Sequence, residues 1–204
     1  MAVRPIPQIG DPVLRVPTTE VTDFDAPEFQ ALVNDMIDTM ADAQGAGIAA
    51  NQVGVSMNVC VIGVEHNERY PYKPPIPLTV LVNPVITVLD DERWLNNEGC
   101  LSVPIRGDLH RWMNISVVAQ TRNGEPFEQI YRGLSAGTVQ HEVDHLAGHL
   151  IVDRMTDPTS MTTWDNFQKH GLSDYLNRIA PIIPRTRPVP PPGGQASETS
   201  QGGV

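Results

Sequence analysis

The chain has 204 residues, of which 40% are hydrophobic and 19% are charged, and its formal net charge is −10. This composition is typical of a globular protein, and the negative charge argues against broad binding to nucleic-acid backbone. No stretch approaches the roughly 20 apolar residues that span a bilayer, and prolines interrupt the amino-terminal sequence where a signal peptide has a continuous apolar core. We therefore expect a cytoplasmic protein without a membrane anchor.

The first predicted element is a helix over residues 25–43. Asp25 and Glu28 have the spacing of a capping box, and Pro27 is tolerated in a first helical turn. Six apolar residues recur with helical spacing and predict one buried face: Phe29, Leu32, Val33, Met36, Ile37 and Met40.

Short β-like runs follow this helix. Asn123-Gly124 is a strong hairpin signal, and the run PFEQIYRG returns after it. The preceding runs are MNVCVIGV (57–64), LTVLVNPVITVLD (78–90) and NISVVAQT (114–121).

Two further helices are predicted near the end of the domain. One begins near Ser135 or Ala136 and carries the sequence QHEVDHL, and the other covers Met161 to His170 and stops at Gly171. Residues 181–204 are rich in Pro, Gly and Ser and predict a disordered tail. We expect one α+β catalytic domain over residues 1–180, with antiparallel β-sheets packed around a central helix that carries the HExxH motif.

The sequence QHEVDHLAGH (140–149) holds three of the six histidines. His141 and His145 are four residues apart, so both imidazoles lie on one helix face and can share a metal ion, with Glu142 placed to take a proton from water. His149 lies about 12 Å along the helix axis from His141, since the rise is about 1.5 Å per residue, and it cannot reach the same ion.

A catalytic metal site needs a third protein ligand. Downstream of the HExxH motif there is no convincing glutamate, and Asp153, Asp157 and Asp165 remain. Upstream, Cys100 lies in the polar stretch NNEGCLSVP, whereas Cys60 lies in an apolar run typical of a buried thiol. The segment GAGIAANQVG (45–54) is rich in small residues, and Gln52 within it could donate a hydrogen bond to a developing oxyanion.

Three segments in this order resemble the motifs of peptide deformylase. They are GAGIAANQ (45–52), EGCLS (98–102) and QHEVDH (140–145). The resemblance spans most of residues 5–155 and implies an enzyme that removes the N-formyl group from the initiator methionine of newly synthesised proteins, releasing formate.

The resemblance also implies roles for individual residues. Cys100, His141 and His145 would bind one divalent metal, with Fe²⁺ expected and Zn²⁺ or Ni²⁺ able to substitute. Glu142 would be the general acid/base, and Gln52 with the backbone N–H of Leu101 would form the oxyanion hole.

Six residues are expected to contact substrate: Gly45, Ala46, Gly47, Gly99, Leu134 and Val139. Ala46 stands where relatives often have a larger branched residue near the methionine pocket, so pocket selectivity is open. Gly137 would leave room in the same pocket, and Arg111 is a candidate partner for Glu98.

The expected partners are N-formylmethionyl nascent peptides, with at most a transient ribosome contact, no nucleic acid and no membrane. The protein is expected to be a monomer. Two alternatives to a deformylase remain. One is an endopeptidase that uses the same HExxH motif with a downstream third ligand, and the other is a catalytically silent relative. Metal content of the Cys100→Ala variant distinguishes the deformylase from the endopeptidase, because only a deformylase needs Cys100 to bind its metal.

Overall fold

The computed structural model describes residues 2–65 and 70–186. No helix within these ranges is both long and apolar enough to cross a membrane. The helices are α1 (Pro27–Asp42), α2 (Gly133–Leu146), α3 (Ile151–Arg154), α4 (Trp164–Asn166) and α5 (Leu172–Ile179). The strands are β1 (Gly47–Ala49), β2 (Val59–Val64), β3 (Ile76–Val88), β4 (Arg93–Cys100), β5 (Val103–Trp112), β6 (Asn114–Gln120) and β7 (Pro126–Arg132).

The strands form two antiparallel sheets, which confirms the predicted α+β class. The larger sheet has the order β1-β2-β3-β6-β7, and the smaller one is the β4-β5 hairpin. Helix α2 contacts strands of both sheets, so residues of α2 can meet residues from either sheet.

Helix α1 buries the predicted apolar face against β1 and β2. Its amino terminus differs from the prediction. The residue before the helix is Ala26, which has no capping side chain. Instead, Oδ1 of Asp23 accepts hydrogen bonds from the backbone N–H groups of Asp25 and Ala26. The predicted Asp25–Glu28 capping box is therefore wrong.

The three predicted β-runs become β2, β3 and β6, and the hairpin at Asn123-Gly124 joins β6 to β7. Gly124 has φ +80°, the left-handed conformation that this turn requires. The β4-β5 hairpin was not predicted. Its buried residues include Asn96, Asn97 and Glu98, and such polar residues lack the apolar alternation that marks a strand.

The last predicted helix has different bounds. Gly171 does not stop it, because a π-helical turn over Phe167–Gly171 joins α4 to α5 without a break. The continuation buries Tyr175 and Ile179 against the domain, and Phe167 packs edge-on against Tyr175. Burial of these side chains outweighs the low helix propensity of glycine.

The predicted tail begins too early. Ile182 and Thr186 are buried, and Oγ1 of Thr186 accepts a hydrogen bond from the backbone N–H of Leu134 while it donates to the carbonyl of Ile182. Residues 181–186 therefore pack on the domain, and Thr186 provides a hydrogen-bond acceptor for the first turn of α2. The remainder of the predicted tail, residues 187–204, lies outside the described residues.

Candidate active site

Three side chains with metal-ligand chemistry converge at the end of β4 and on one face of α2. Sγ of Cys100 lies 3.2 Å from Nε2 of His145, which lies 3.2 Å from Nε2 of His141. The three donor atoms all lie within 4.8 Å of one another. Ligands bound at about 2.0–2.3 Å to one ion have separations of this size. The donor set therefore fits a single divalent metal.

Glu98 orients the imidazole of His141 through Nδ1, the ring nitrogen that is not one of the three donor atoms. Its Oε2 lies 2.9 Å from Nδ1 of His141, and both carboxylate oxygens accept hydrogen bonds from Arg111 at 2.8 Å. Burial alone would raise the pKa of Glu98, but the Arg111 guanidinium outweighs burial and holds this pKa well below its usual range. The ionised carboxylate therefore accepts the Nδ1 proton, and Nε2 of His141 is left free to bind a metal. The predicted partnership of Arg111 with Glu98 is confirmed.

The Cys100 sulfur accepts contacts from two donors. The backbone N–H of Ser102 lies 3.4 Å from Sγ, and Nε2 of Gln52 lies 3.5 Å from it. Oε1 of Gln52 accepts a hydrogen bond from the N–H of Ala49, which turns the amide nitrogen toward Cys100. Donors of this kind stabilise a thiolate, the form in which cysteine binds metals.

The side chain of Glu142 is buried beside the donor set. Its Oε2 has no hydrogen-bond partner among the described residues. A Cβ at Gly47 would lie 2.7 Å from Cδ of Glu142, so only glycine leaves room for the carboxyl group. Burial raises the pKa of Glu142 to about 7, although the charges of His141 and Lys73 oppose the shift. At this pKa the carboxyl can both accept and release a proton near neutral pH.

The end of α2 keeps His149 away from this site. Gly148 adopts φ +80° and ends the helix, and His149 is exposed. The converging group contains Cys100, His141 and His145 and does not include His149. Asn51, to which the sequence analysis attached no role, donates from Nδ2 to the carbonyl of His145 and ties the Gln52 segment to α2.

A cavity opens in front of the donor atoms. Its walls include the predicted residues Gln52, Gly45, Ala46, Gly47, Gly99, Leu101 and Gly137. Leu134 and Val139 are not among the residues that line it, and both are buried, Val139 in the apolar cluster with Cys60 and Leu81 and Leu134 in the cluster with Trp94 and Tyr175. The Gly137 backbone gives room for Asn96, whose amide would lie 3.4 Å from a Cβ at that position.

Several residues of the cavity wall were missed by the sequence analysis: Tyr70, Tyr72, Lys73, Asn96, Asn97, Arg106, Thr138 and Tyr175. Lys73 lies in a proline-rich loop with no local motif. Tyr175 reaches the site only because α5 folds back, and its hydroxyl donates to Oδ1 of Asn96 at 2.8 Å. No sequence pattern joins these residues to the three recognised segments.

By its fold and its site together, the protein is a metal-dependent hydrolase. The sequence pattern of the family described as Polypeptide deformylase matches residues 3–161. The chain belongs to the polypeptide deformylase family, whose enzymes remove the N-formyl group from nascent peptides.

Individual relatives agree with this assignment. The chain is 43% identical to Peptide deformylase 1 of Nitrosomonas europaea over 175 residues, which cover 85% of this chain and 94% of the relative. It is 44% identical to Peptide deformylase 1 of Bordetella pertussis over 158 residues, covering 77% and 90%. Among solved structures, the Met-Ala-Ser-bound class I type b peptide deformylase of Acinetobacter baumannii superposes with a TM-score of 0.72 at 38% identity, covering 76% of this chain and 99% of the other.

Proposed function

We propose that this protein removes the N-formyl group from the N-terminal methionine of newly synthesised proteins and releases formate. The observation that carries the proposal is the convergence of Cys100, His141 and His145 in one cavity with the unpartnered carboxylate oxygen of Glu142. The alternative endopeptidase would use a downstream ligand in place of Cys100. Family membership and the position of Cys100 both favour the deformylase.

Cys100, His141 and His145 would hold one divalent ion, and we propose Fe²⁺, with Zn²⁺ or Ni²⁺ able to replace it. A thiolate with two imidazoles is compatible with each of these ions. When bound, the ion supplies Lewis acidity toward water and toward the formyl carbonyl. The negative thiolate moderates that acidity relative to a neutral third ligand.

The remaining steps belong to side chains of this protein. Glu142 accepts a proton from the water that attacks the formyl carbon, and it passes this proton to the amine nitrogen as the carbon–nitrogen bond breaks. The products are formate and a free amine. Nε2 of Gln52 and the backbone N–H of Leu101 would stabilise the oxyanion that forms between attack and cleavage.

The biological setting follows from the same proposal. A substrate that emerges from the ribosome places the enzyme in the cytoplasm, with contact to the ribosome that is local and brief because the chain is acidic. We propose a monomer whose catalytic domain is the unit predicted over residues 1–180, extended by the packed residues 181–186.

Formate release from formyl-Met-Ala-Ser by protein purified without oxygen tests the proposal. We expect turnover by the metal-loaded enzyme, loss of turnover in Glu142→Ala, and loss of metal in Cys100→Ala. An endopeptidase would instead keep its metal in Cys100→Ala and would cleave internal peptide bonds. Absence of formate release from the metal-loaded enzyme, or full turnover by Glu142→Ala, would overturn the proposal.

A further inference from the structure

A chain of three hydrogen bonds connects helix α5 with one of the converging donor residues. The hydroxyl of Tyr175 donates to Oδ1 of Asn96 at 2.8 Å, and Nδ2 of Asn96 donates to Oε1 of Glu98 at 2.9 Å. The other carboxylate oxygen of Glu98 lies 2.9 Å from Nδ1 of His141. The chain therefore runs from helix α5, through strand β4, to the candidate metal site on helix α2.

Both oxygens of the Glu98 carboxylate are fully engaged. Oε1 accepts hydrogen bonds from Nε of Arg111 and Nδ2 of Asn96, and Oε2 accepts from Nη2 of Arg111 and from His141. An ionised carboxylate has about four such acceptor positions, so this one cannot turn without breaking a hydrogen bond. Arg111 supplies the opposite charge, whereas Asn96 is neutral. Asn96 therefore contributes to the direction in which the carboxylate points.

The amide of Asn96 is held in one orientation by its two neighbours. An ionised carboxylate only accepts hydrogen bonds, so Glu98 faces the NH₂ group of the amide and leaves Oδ1 for a donor. Tyr175 is that donor, since burial raises the pKa of its hydroxyl well above the ordinary value and keeps the proton in place. Loss of this hydroxyl would leave Oδ1 without its donor in a buried position, where an unsatisfied acceptor is costly.

The side chain of Tyr175 is fixed by packing. Its ring lies edge-on against the rings of Phe167 and Tyr72, with centroid distances of 5.7 and 5.5 Å, and the residue is 1% exposed. The Tyr72 hydroxyl shares a further hydrogen bond with Tyr175 and another with Arg106. Tyr175 therefore presents its hydroxyl to Asn96 from a fixed position.

Helix α2 and strand β4 leave space for the Asn96 amide beside Glu98. A Cβ at Gly137 would lie 3.4 Å from Nδ2 of Asn96 and 3.3 Å from Cζ2 of Trp94. Asn96 and Glu98 are two residues apart on β4, so their side chains project from the same face of the strand. The glycine on α2 and the spacing on β4 together place a neutral amide next to the carboxylate that contacts His141.

The whole chain of hydrogen bonds is buried, which strengthens each of its members. Asn96 and Glu98 are each 7% exposed. Hydrogen bonds in such surroundings are less screened than in water, and successive bonds polarise one another. A change at the Tyr175 hydroxyl therefore alters the contact at Nδ1 of His141, and with it the capacity of the ring to bind a metal through Nε2.

We propose that Tyr175 and Asn96 are positioning residues for His141, and that they act through Glu98 on the affinity of the site for its metal. This inference rests on the proposed function, because it takes His141 as a ligand of the catalytic ion. Both residues line the cavity, so a direct contact with substrate is the competing explanation for an effect on turnover. Metal affinity measured without substrate separates the two explanations.

Tyr175→Phe tests the inference, because it removes the hydroxyl and keeps the ring. Zn²⁺ is titrated into the substrate-free protein against a competing chelator. We expect the affinity to fall about three- to tenfold, which is less than the roughly 10- to 100-fold typical of a direct partner of a ligand. The matched control is Tyr131→Phe, which removes the hydroxyl of a buried tyrosine outside the cavity wall and should leave Zn²⁺ affinity unchanged.

A double-mutant cycle shows whether the hydroxyl acts through Asn96. Asn96→Leu removes both hydrogen bonds of the amide, so Tyr175→Phe should cause almost no further loss of Zn²⁺ affinity in that background. Equal losses in the two backgrounds, or the same affinity in Tyr175→Phe as in Tyr131→Phe, overturn this inference alone. The second comparison decides the matter even where the Asn96 variants do not fold. Failure of the wild-type protein to bind Zn²⁺, or to release formate from formyl-Met-Ala-Ser, overturns the proposed function as well.

Discussion

Nδ1 of His141 lies 2.9 Å from Oε2 of Glu98, and this contact links helix α2 to the β4-β5 hairpin. Glu98 is in turn held by Arg111 and by Nδ2 of Asn96. The orientation of His141, a ligand on helix α2, thus depends on residues of the smaller sheet.

Glu98→Gln should weaken metal binding about 10- to 100-fold, because an amide no longer fixes the Nδ1–H tautomer of His141 and leaves Arg111 buried without its charge partner. Metal titration monitored by fluorescence of a competing chelator measures the affinity. Glu92→Gln is the matched control, since Glu92 pairs with Arg185 at the surface. Equal metal affinity in Glu98→Gln and wild type would refute the orienting role.

Glu142→Gln should keep the metal and lose activity. The amide has nearly the same shape but cannot accept the water proton, so we expect a loss of about 10²- to 10⁴-fold in kcat. Metal content and formate release are measured on the same preparation. Retention of more than a tenth of wild-type activity would exclude Glu142 as the general base.

Gly47→Ala should also lower activity, for a steric reason. The new methyl group would lie within 2.7 Å of Cγ and Cδ of Glu142 and would push the carboxyl group away from the donor atoms. We expect metal content close to wild type and a fall in kcat, because the atoms nearest to the new methyl group belong to Glu142 and not to the metal ligands. Unchanged kcat would mean that the position of the carboxyl is not set by this contact.

Lys73→Met should stabilise the protein at pH 7. Below pH 8 the lysine is charged in both the folded and the unfolded protein, and its partial burial costs about 1–2 kcal/mol after allowance for solvent screening. Between pH 8 and 10.5 the folded protein releases the proton first, so the penalty declines, and above 10.5 it is gone.

Urea unfolding at pH 7, 9 and 10.5 measures this difference. The gain in the free energy of unfolding should shrink as the pH rises, whereas Lys169→Met, which alters an exposed lysine outside the cavity, should show no such trend. A gain that is independent of pH would indicate better packing by Met rather than relief of a buried charge.

Gly148→Ala should destabilise the fold more than Gly54→Ala. Both glycines have φ +80°, which costs about 1–2 kcal/mol for an L-residue. A Cβ at Gly148 would also lie 2.7 Å from the carbonyl oxygen of Arg15, whereas nothing lies within 4 Å of one at Gly54. Thermal unfolding of the two variants separates the clash from the strain, and equal losses would refute the close contact at Arg15.

The sequence predicts the three converging residues Cys100, His141 and His145, because each of them lies in a local motif. The spacing of His141 and His145 follows from helix geometry, and the EGCLS segment marks Cys100. The β4-β5 hairpin escapes prediction because Asn96 and Asn97 are buried through hydrogen bonds rather than through apolar contact. Strand periodicity read from apolar residues cannot detect such positions.

The position of Lys73 in the cavity wall could not be predicted from local patterns for a different reason. Lys73 meets Thr138 across 65 positions of sequence, and such a contact exists only after β2, β3 and α2 have assembled. Leu134 and Val139 are expected substrate contacts that do not line this cavity. Both are close in sequence to the ligands of α2, and in the folded chain both pack in apolar clusters.

The placement of Cys100 on a hairpin and His145 on α2 has a consequence for folding. A metal held by both joins residues 45 positions apart and ties the smaller sheet to the helix that packs on the larger one. Such a link closes a long loop, as a disulfide does in secreted proteins, and its binding free energy adds to that of folding. In this chain, whose two cysteines are both free, the catalytic ion would also be the only cross-link among the described residues.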